Sequence, residues 1–334
     1  MERLLFAVIL ALPLVIGLTL GATSLPAAEA SDARVKPMPV IFDTDIGDDI
    51  DDTWALAVIL KSPEFDVKLV VGDEQKTEYR AKLLARLLET AGRTDIPVGL
   101  GVGSKAGPQR QGEWVKDYRL EDYPGTVHKD GVGAMIRTIM QCQEPVTIIA
   151  TGPVTNLEAA LEREPKIAAE ARFVGMHGSV RKGYKGKDKP DAEYNVRADP
   201  MALQAAFVAP WPKTITPLDT CGLVQLKGEK YAKIRDSKDP VLQALIVNYR
   251  LWCGKNPERA DTASSILFDT VAVYLAITDD LCKMETLPLR ITPEGMTVID
   301  AERGHKMRVA TEWKDLGKFE DWLVERLLSP TVKP

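Results

Sequence analysis

The chain has 334 residues, 48 acidic and 43 basic, for a net charge of −5, with 45% apolar and 27% charged residues. This is ordinary globular composition: too apolar for a disordered acidic chain, and too poor in lysine and arginine for a broadly basic protein, so polymeric nucleic acid is not an expected partner. The length allows one large α/β domain or two smaller ones, and only three histidines are present, which argues against His-rich metal chemistry.

Glu2 and Arg3 lead into an apolar run from Leu4 to Leu20, after which small residues approach Ala28-Glu29-Ala30. A charged start, an apolar core and an A-x-A-like site read as a secretory signal peptide, so residues 1–30 are expected to be removed and the mature protein to be exported, periplasmic or extracellular. The run is close to the length of a membrane span, which leaves an uncleaved N-terminal anchor as the alternative. Cleavage leaves 46 acidic and 42 basic residues, a charge of −4 and no expected membrane association.

From Met38 onward short β-branched runs alternate with longer helical ones: residues 40–42, a helix from Asp51, residues 67–71, a helix over Thr77 to Ala91, and Ile96 to Gly101. Such alternation predicts an α/β fold, an open and mostly parallel sheet flanked by helices with a Rossmann-like core. The helix over 77–91 places Leu83, Leu84, Leu87 and Leu88 on one side and Arg80, Lys82, Arg86 and Glu89 mostly on the other, as a covering helix does. Further on come a helix over 131–142, a strand over 146–151, a helix from near Val154, a strand over 172–176 and a Gly/Lys-rich loop from Gly178 to Asp191 that reads as solvated. Helices are expected near 199–208, over 225–254 and over 264–277, then a β-meander over 287–312. No repeat or linker marks a boundary, so residues 31–334 are expected to form one domain. Cys142, Cys221, Cys253 and Cys282 fit no zinc or redox spacing, and their three possible complete pairings stay open.

The most informative stretch follows the first strand, where Asp43-Thr44-Asp45-Ile46-Gly47-Asp48-Asp49-Ile50-Asp51-Asp52 places six aspartates in ten positions. On a strand, residues two apart share a face, so Asp43 and Asp45 are expected to project together from its carboxyl end, where open α/β sheets place ligands. Asp51 and Asp52 then begin a helix, at the positive end of its dipole. Capping accounts for one or two of the six, whereas several carboxylates on one point are tolerable around a hard cation bound by oxygen alone, Ca²⁺ or Mg²⁺. An EF-hand fails, since counting from Asp43 puts Asp48 where glycine is needed and Trp54 where the bidentate Glu belongs. A haloacid dehalogenase-like phosphatase, with Asp43 as nucleophile, is a weaker rival because it leaves Asp51-Asp52 unexplained.

This stretch resembles the N-terminal D-x-D-P-G-x-D-D signature of the inosine-uridine nucleoside hydrolase family, with Ile46 in place of proline and two additional residues before the final pair. Three further landmarks follow in order: Thr151-Gly152-Pro153-Val154-Thr155-Asn156, Ala192-Glu193-Tyr194-Asn195, and Phe268-Asp269 opening an apolar helix. The resemblance implies Ca²⁺ held by Asp45, Asp52, the Thr151 carbonyl and Asp269, with Asp45 also the general base toward the attacking water. It further implies that Asp51, Asp73, Met176, Glu193, Tyr194 and Asn195 contact the ribose, and that Asp43 stands behind the ligands, orienting Asp45 or the helix start. Phe268 stands where many members carry a histidine that protonates the departing base, leaving Tyr184, Tyr194 and His177 as candidate acids. Asp48 and Asp49, in the two-residue expansion, are expected to face solvent.

The activity so implied is calcium-dependent hydrolysis of the N-glycosidic bond of ribonucleosides or related ribosides, by a homo-oligomer, dimer or tetramer. The alternative from another class is a calcium-dependent ribose- or nucleoside-binding protein with little turnover.

Overall fold

The computed structural model describes residues 36–104 and 106–333, together with Met1. The signal-peptide reading therefore concerns residues that, Met1 aside, lie outside those described. In chain order the elements are β1 (Met38–Thr44), α1 (Asp51–Leu60), β2 (Phe65–Gly72), α2 (Thr77–Thr90), β3 (Val98–Leu100), α3 (Gly112–Val115), β4 (Val127–His128), α4 (Gly131–Gln141), β5 (Val146–Ala150), α5 (Thr155–Arg163), β6 (Ala171–Met176), α6 (Tyr194–Ala198), α7 (Pro200–Val208), β7 (Lys213–Thr216), α8 (Gly228–Arg235), α9 (Pro240–Cys253), α10 (Phe268–Ile277), β8 (Cys282–Ile291), β9 (Thr297–Ile299), β10 (His305–Trp313) and α11 (Leu316–Leu328). Among the described residues no helix is long and apolar enough to cross a membrane.

The strands form one sheet in the order β4-β3-β2-β1-β5-β6-β7-β10-β8-β9. All pairings from β4 to β10 are parallel, and β8 and β9 close the edge antiparallel. After β1 the chain builds outward through β2, β3 and β4, then returns to lay β5 on the other side of β1. This reversal opens a crevice at the carboxyl ends of β1 and β5, where ligands of such sheets bind. Alternation along β1 sends Val40 and Phe42 into one apolar layer and Ile41 into the other, so both faces of the sheet are covered.

Helix α1 is buried along its whole length, apolar on every side after its first turn, as a helix enclosed by neighbours must be. Its far end is satisfied by the chain's last residues. Val332 N donates to Leu60 O at 2.9 Å, and the buried Lys61 ammonium donates to Ser329 O at 2.8 Å and to Asp239 at 2.7 Å.

Two boundaries and one side-chain placement differ from expectation. The stretch 225–254 is two helices, because Asp239 caps a new start, accepting from Val241 N and Leu242 N with Pro240 in the first turn. Residues 264–267 stay outside α10, since Leu267 N and Ser264 N are engaged by Val224 O and Leu226 O. Arg80 is not on a solvated face of α2: it is 2% exposed, bonded to Ile46 O and Glu74 beside the site. The sequence reading passed over β7 and α11, although α11 announces itself by the Asp315 cap and by Phe319, Leu323, Val324 and Leu327 on one buried side; the two complete the sheet and its cover.

Candidate functional site: a carboxylate-floored cavity

At the crevice, the strand ends deliver Asp45 after β1, Thr151 after β5 and Met176 at the end of β6 to one cavity of about 350 Å³. Its size suits a small molecule. The turn leaving β1 depends on Gly47, whose φ of 111° and contact with Tyr79 leave no room for a side chain.

The floor is acidic. Asp51, Asp52 and Asp269, all buried, offer carboxylate oxygens within 4.8 Å of one another. Asp51 and Asp52 occupy the first turn of α1 and Asp269 that of α10, so two helix starts point at one place. Asp51 Oδ2 accepts from Asp269 N at 3.3 Å, and Asp52 Oδ1 accepts from the hydroxyls of Thr44 and Thr151. Asp45, 5% exposed, lines the same cavity. Burial pushes its carboxyl up to about 7, opposed by the nearby Arg80 charge. Burial, and after it mutual repulsion, hold Asp52 and Asp269 well above the ordinary carboxylate range as well.

Four buried acids with no ion-pair partner among the described residues are costly when ionised. The donor set is oxygen only, the chemistry of a hard divalent cation, so these residues fit a Ca²⁺- or Mg²⁺-type ion. The Thr151 carbonyl lies beside them, held by Asn195 Nδ2 at 2.8 Å.

The remaining expected sugar contacts separate into two groups. Met176, Glu193, Tyr194, Asn195 and Phe268 line the cavity. Glu193 also caps α6, accepting from Asn195 N at 2.8 Å, Val196 N at 3.3 Å and, across the chain, Gly178 N at 2.9 Å, while burial pushes its carboxyl up to about 7. Asp73 is fully buried behind the cavity wall rather than in it, packed with Asp45 against Gly152. Its Oδ1 accepts from the Thr155 hydroxyl and, at 3.4 Å, from Asn156 N. It thus caps α5 from another strand, where the local N-cap, Val154, has no capping side chain and sits at a φ of 60°.

Other expectations are corrected by geometry. Of the two places expected for Asp43, the helix start is not reached: its Oδ1 accepts from Asn156 Nδ2 at 2.7 Å and Thr44 holds Asp52 instead, while its buried carboxyl stays close enough to that of Asp45 for the two to repel. Being fully buried off the cavity, Asp43 is also no phosphatase nucleophile. His177 is 0% exposed, bonded to Gly152 O at 2.8 Å, and burial pushes its imidazole down to about 4, so it cannot serve a leaving group. Asp49 is exposed as expected and Asp48 partly so, but both stand at the cavity rim. The Gly178–Asp191 loop exposes its lysines yet is firmly held, since buried Asp219 accepts from Val180, Arg181 and Lys182 N–H groups. All four cysteines are free.

Sequence reasoning passed over Thr44, Asp219, Arg110 and Trp252. The last two line the cavity, brought by the segment before α3 and by the end of α9. Neither lies in a motif, and only tertiary structure brings them in.

The family model for inosine-uridine preferring nucleoside hydrolase matches residues 40–321. A pyrimidine-specific ribonucleoside hydrolase RihA of Escherichia coli is 31% identical over 312 residues, covering 87% of this chain and 98% of that protein. The RihA of Citrobacter koseri is 29% identical over the same shares. Among solved structures, a plant nucleoside hydrolase superposes with a TM-score of 0.76 at 24% identity over 88% of this chain and all of the other. A purine-preferring ribonucleoside hydrolase from Gardnerella vaginalis gives 0.72 at 22% identity, covering 86% of this chain and 98% of the other.

Proposed function

The chain belongs to the inosine-uridine preferring nucleoside hydrolase family, a hydrolase acting on N-glycosyl bonds of ribonucleosides, and on that premise we propose calcium-dependent cleavage of nucleosides with Asp45 as general base. The observation that carries the reading is the convergence of Asp51, Asp52 and Asp269 on one point at the floor of the switch-point cavity. Asp45, Asp52, Asp269 and the Thr151 carbonyl would hold the ion. Asp51, whose oxygen stands within the same 4.8 Å group, is placed either to share it or to accept from a ribose hydroxyl. When bound, a hard cation lowers the pKa of a coordinated water and orients a sugar diol.

The protein's own groups supply the rest. Asp45, buried at the cavity and proposed as both ligand and base, would take the proton of the attacking water; the cation it helps hold would draw its carboxyl down from the value of about 7 that burial produces. Glu193 has both oxygens fixed by main-chain N–H groups, so its remaining lone pairs are aimed in advance at sugar hydroxyls. Asn195 joins Thr151 O and Met176 O, coupling the ion's carbonyl ligand to the sugar wall. A site built to pair hydroxyls rejects sugars that lack them. The pyrimidine-specific name of the RihA relatives supports pyrimidine nucleosides as the first substrates to try.

We also read residues 1–30 as an export signal, on their charge and hydropathy pattern, and residues 31–334 as one domain, supported by a sheet that uses strands from Met38 to Trp313. The test uses the protein lacking residues 1–30, assayed on uridine, inosine and p-nitrophenyl riboside with Ca²⁺ and with EDTA. Turnover that chelation abolishes and Ca²⁺ restores supports the reading. Full activity in EDTA overturns the cation's role, and inertness toward all three substrates overturns the reading for these ribosides.

A further inference from the structure

Asp48 belongs to the two-residue expansion of the acidic motif, and the function described above does not use it. It is a hub at the cavity rim. Its Oδ1 accepts from Arg110 Nε at 3.1 Å, its Oδ2 accepts from the Tyr194 hydroxyl at 3.5 Å, and its main-chain oxygen accepts from Trp252 Nε1 at 2.9 Å. Three segments far apart in sequence are therefore gathered by one residue.

Arg110 is the only basic residue among those that line the cavity. Its Nε is engaged by Asp48, and the bonds of the described residues include none to its two terminal nitrogens. The floor is occupied by carboxylates that would hold the ion and the sugar, so a base attached to that sugar must lie against the wall formed by Tyr184, Phe268 and Trp252. That wall offers no strong acid. Phe268 has no proton to give, Trp252 Nε1 is engaged by Asp48 O, the Tyr194 hydroxyl donates to Asp48, and burial holds the phenols of both Tyr184 and Tyr194 above their ordinary range.

Resting on the hydrolase reading, we propose that Arg110, positioned by Asp48, stabilises the departing base as an anion, and that the site thereby favours bases carrying a carbonyl oxygen conjugated with the glycosidic nitrogen, as pyrimidines do. When the C–N bond breaks, its electron pair passes to that nitrogen and is delocalised onto the carbonyl oxygen. The guanidinium's terminal N–H groups donate to this oxygen, and a guanidinium keeps its charge throughout. The anomeric carbon gains hydroxyl from water, whose proton goes to Asp45, and the released anion takes its proton from solvent. Atoms and charge balance without a protein acid. Donors fixed where charge develops are worth about 10²–10³ in rate each.

The experiment compares Arg110→Gln, Arg110→Lys and Asp48→Ala with the wild type, all loaded with Ca²⁺, on uridine and on p-nitrophenyl riboside. Arg110 is more than half exposed, so its replacement is not expected to unfold the chain, and circular dichroism checks this. The expected result is a loss of about 10² in kcat on uridine for Arg110→Gln, with a loss of only about threefold on the nitrophenyl riboside, whose anion needs no help. Arg110→Lys should fall between, and Asp48→Ala should show the same leaving-group selectivity in weaker form. Equal losses on both substrates, or undiminished turnover of uridine, would overturn the proposal. If the wild type cleaves only the nitrophenyl riboside, the hydrolase reading stands and the Arg110 assignment falls. Inertness of the wild type toward both overturns the reading beneath it.

Discussion

Asn195 Nδ2 stands 2.8 Å from the main-chain oxygen of Thr151 and 3.1 Å from that of Met176, so one amide fixes the ends of two neighbouring strands beneath the cavity. Replacing it with alanine strands two buried carbonyls. Asn195→Ala is expected to cost about 1–3 kcal/mol in urea unfolding. It should also weaken Ca²⁺ binding by calorimetry, because Thr151 O loses its support. Unchanged affinity would mean that the carbonyl is held by other means.

Asp45→Asn keeps size and an acceptor oxygen but removes the base. The expected loss in kcat is about 10²–10⁴ with ribose still bound. Near wild-type turnover would transfer the base role to another acid, with Asp51 the first to examine.

Asp73 tests capping against sugar contact. As the surrogate cap of α5, Asp73→Ala should lower stability by about 0.5–2 kcal/mol, and Asp73→Asn should restore much of it. Ribose affinity should move little, since Asp73 is absent from the cavity wall. A large rise in KM with unchanged melting would reverse that assignment.

The pH dependence of cation binding carries a definite sign. Asp45 rises from 3.8 to about 7 on folding, and Glu193 from 4.5 to about 7, in both cases chiefly through burial. Without a cation, the folded protein retains protons that the unfolded chain has already released, so the associated stability is present at about pH 4 and is lost as pH rises toward about 7. A cation at the site displaces such protons. The rise in Tm on adding Ca²⁺ should therefore grow with pH across this window in scanning calorimetry. A constant rise would show that no ligand titrates there.

Much of the site was legible because its chemistry is local in sequence. Asp45, Asp51 and Asp52 lie within eight residues of one another, and Asp269 is marked by the helix it opens. The strands and helices up to Met176, the short α3 and two-residue β4 excepted, follow from alternating apolar runs, which is why the parallel core was readable. What was hidden depends on distant partners. Asp73 has the residue type and place of a sugar contact, yet a helix from another strand claims its oxygen. Arg80 sits among charged neighbours in a pattern of solvated positions, and only the approach of the Asp45 turn draws it inside. Asp48 looked like surface charge because Arg110 and Trp252 lie 62 and 204 residues away.

Helix α1 carries two floor acids at its first turn and is closed at its other end by Ser329 and Val332. A ribosome therefore delivers the acids nearly three hundred residues before it delivers the groups that finish their helix, and Asp269 arrives late as well. Until the segment bearing Asp269 is made, the acidic turn lacks the third carboxylate of the floor and can remain hydrated, its charges spread in water. The order of translation thus keeps the repulsive cluster apart while the earlier part of the chain is being made.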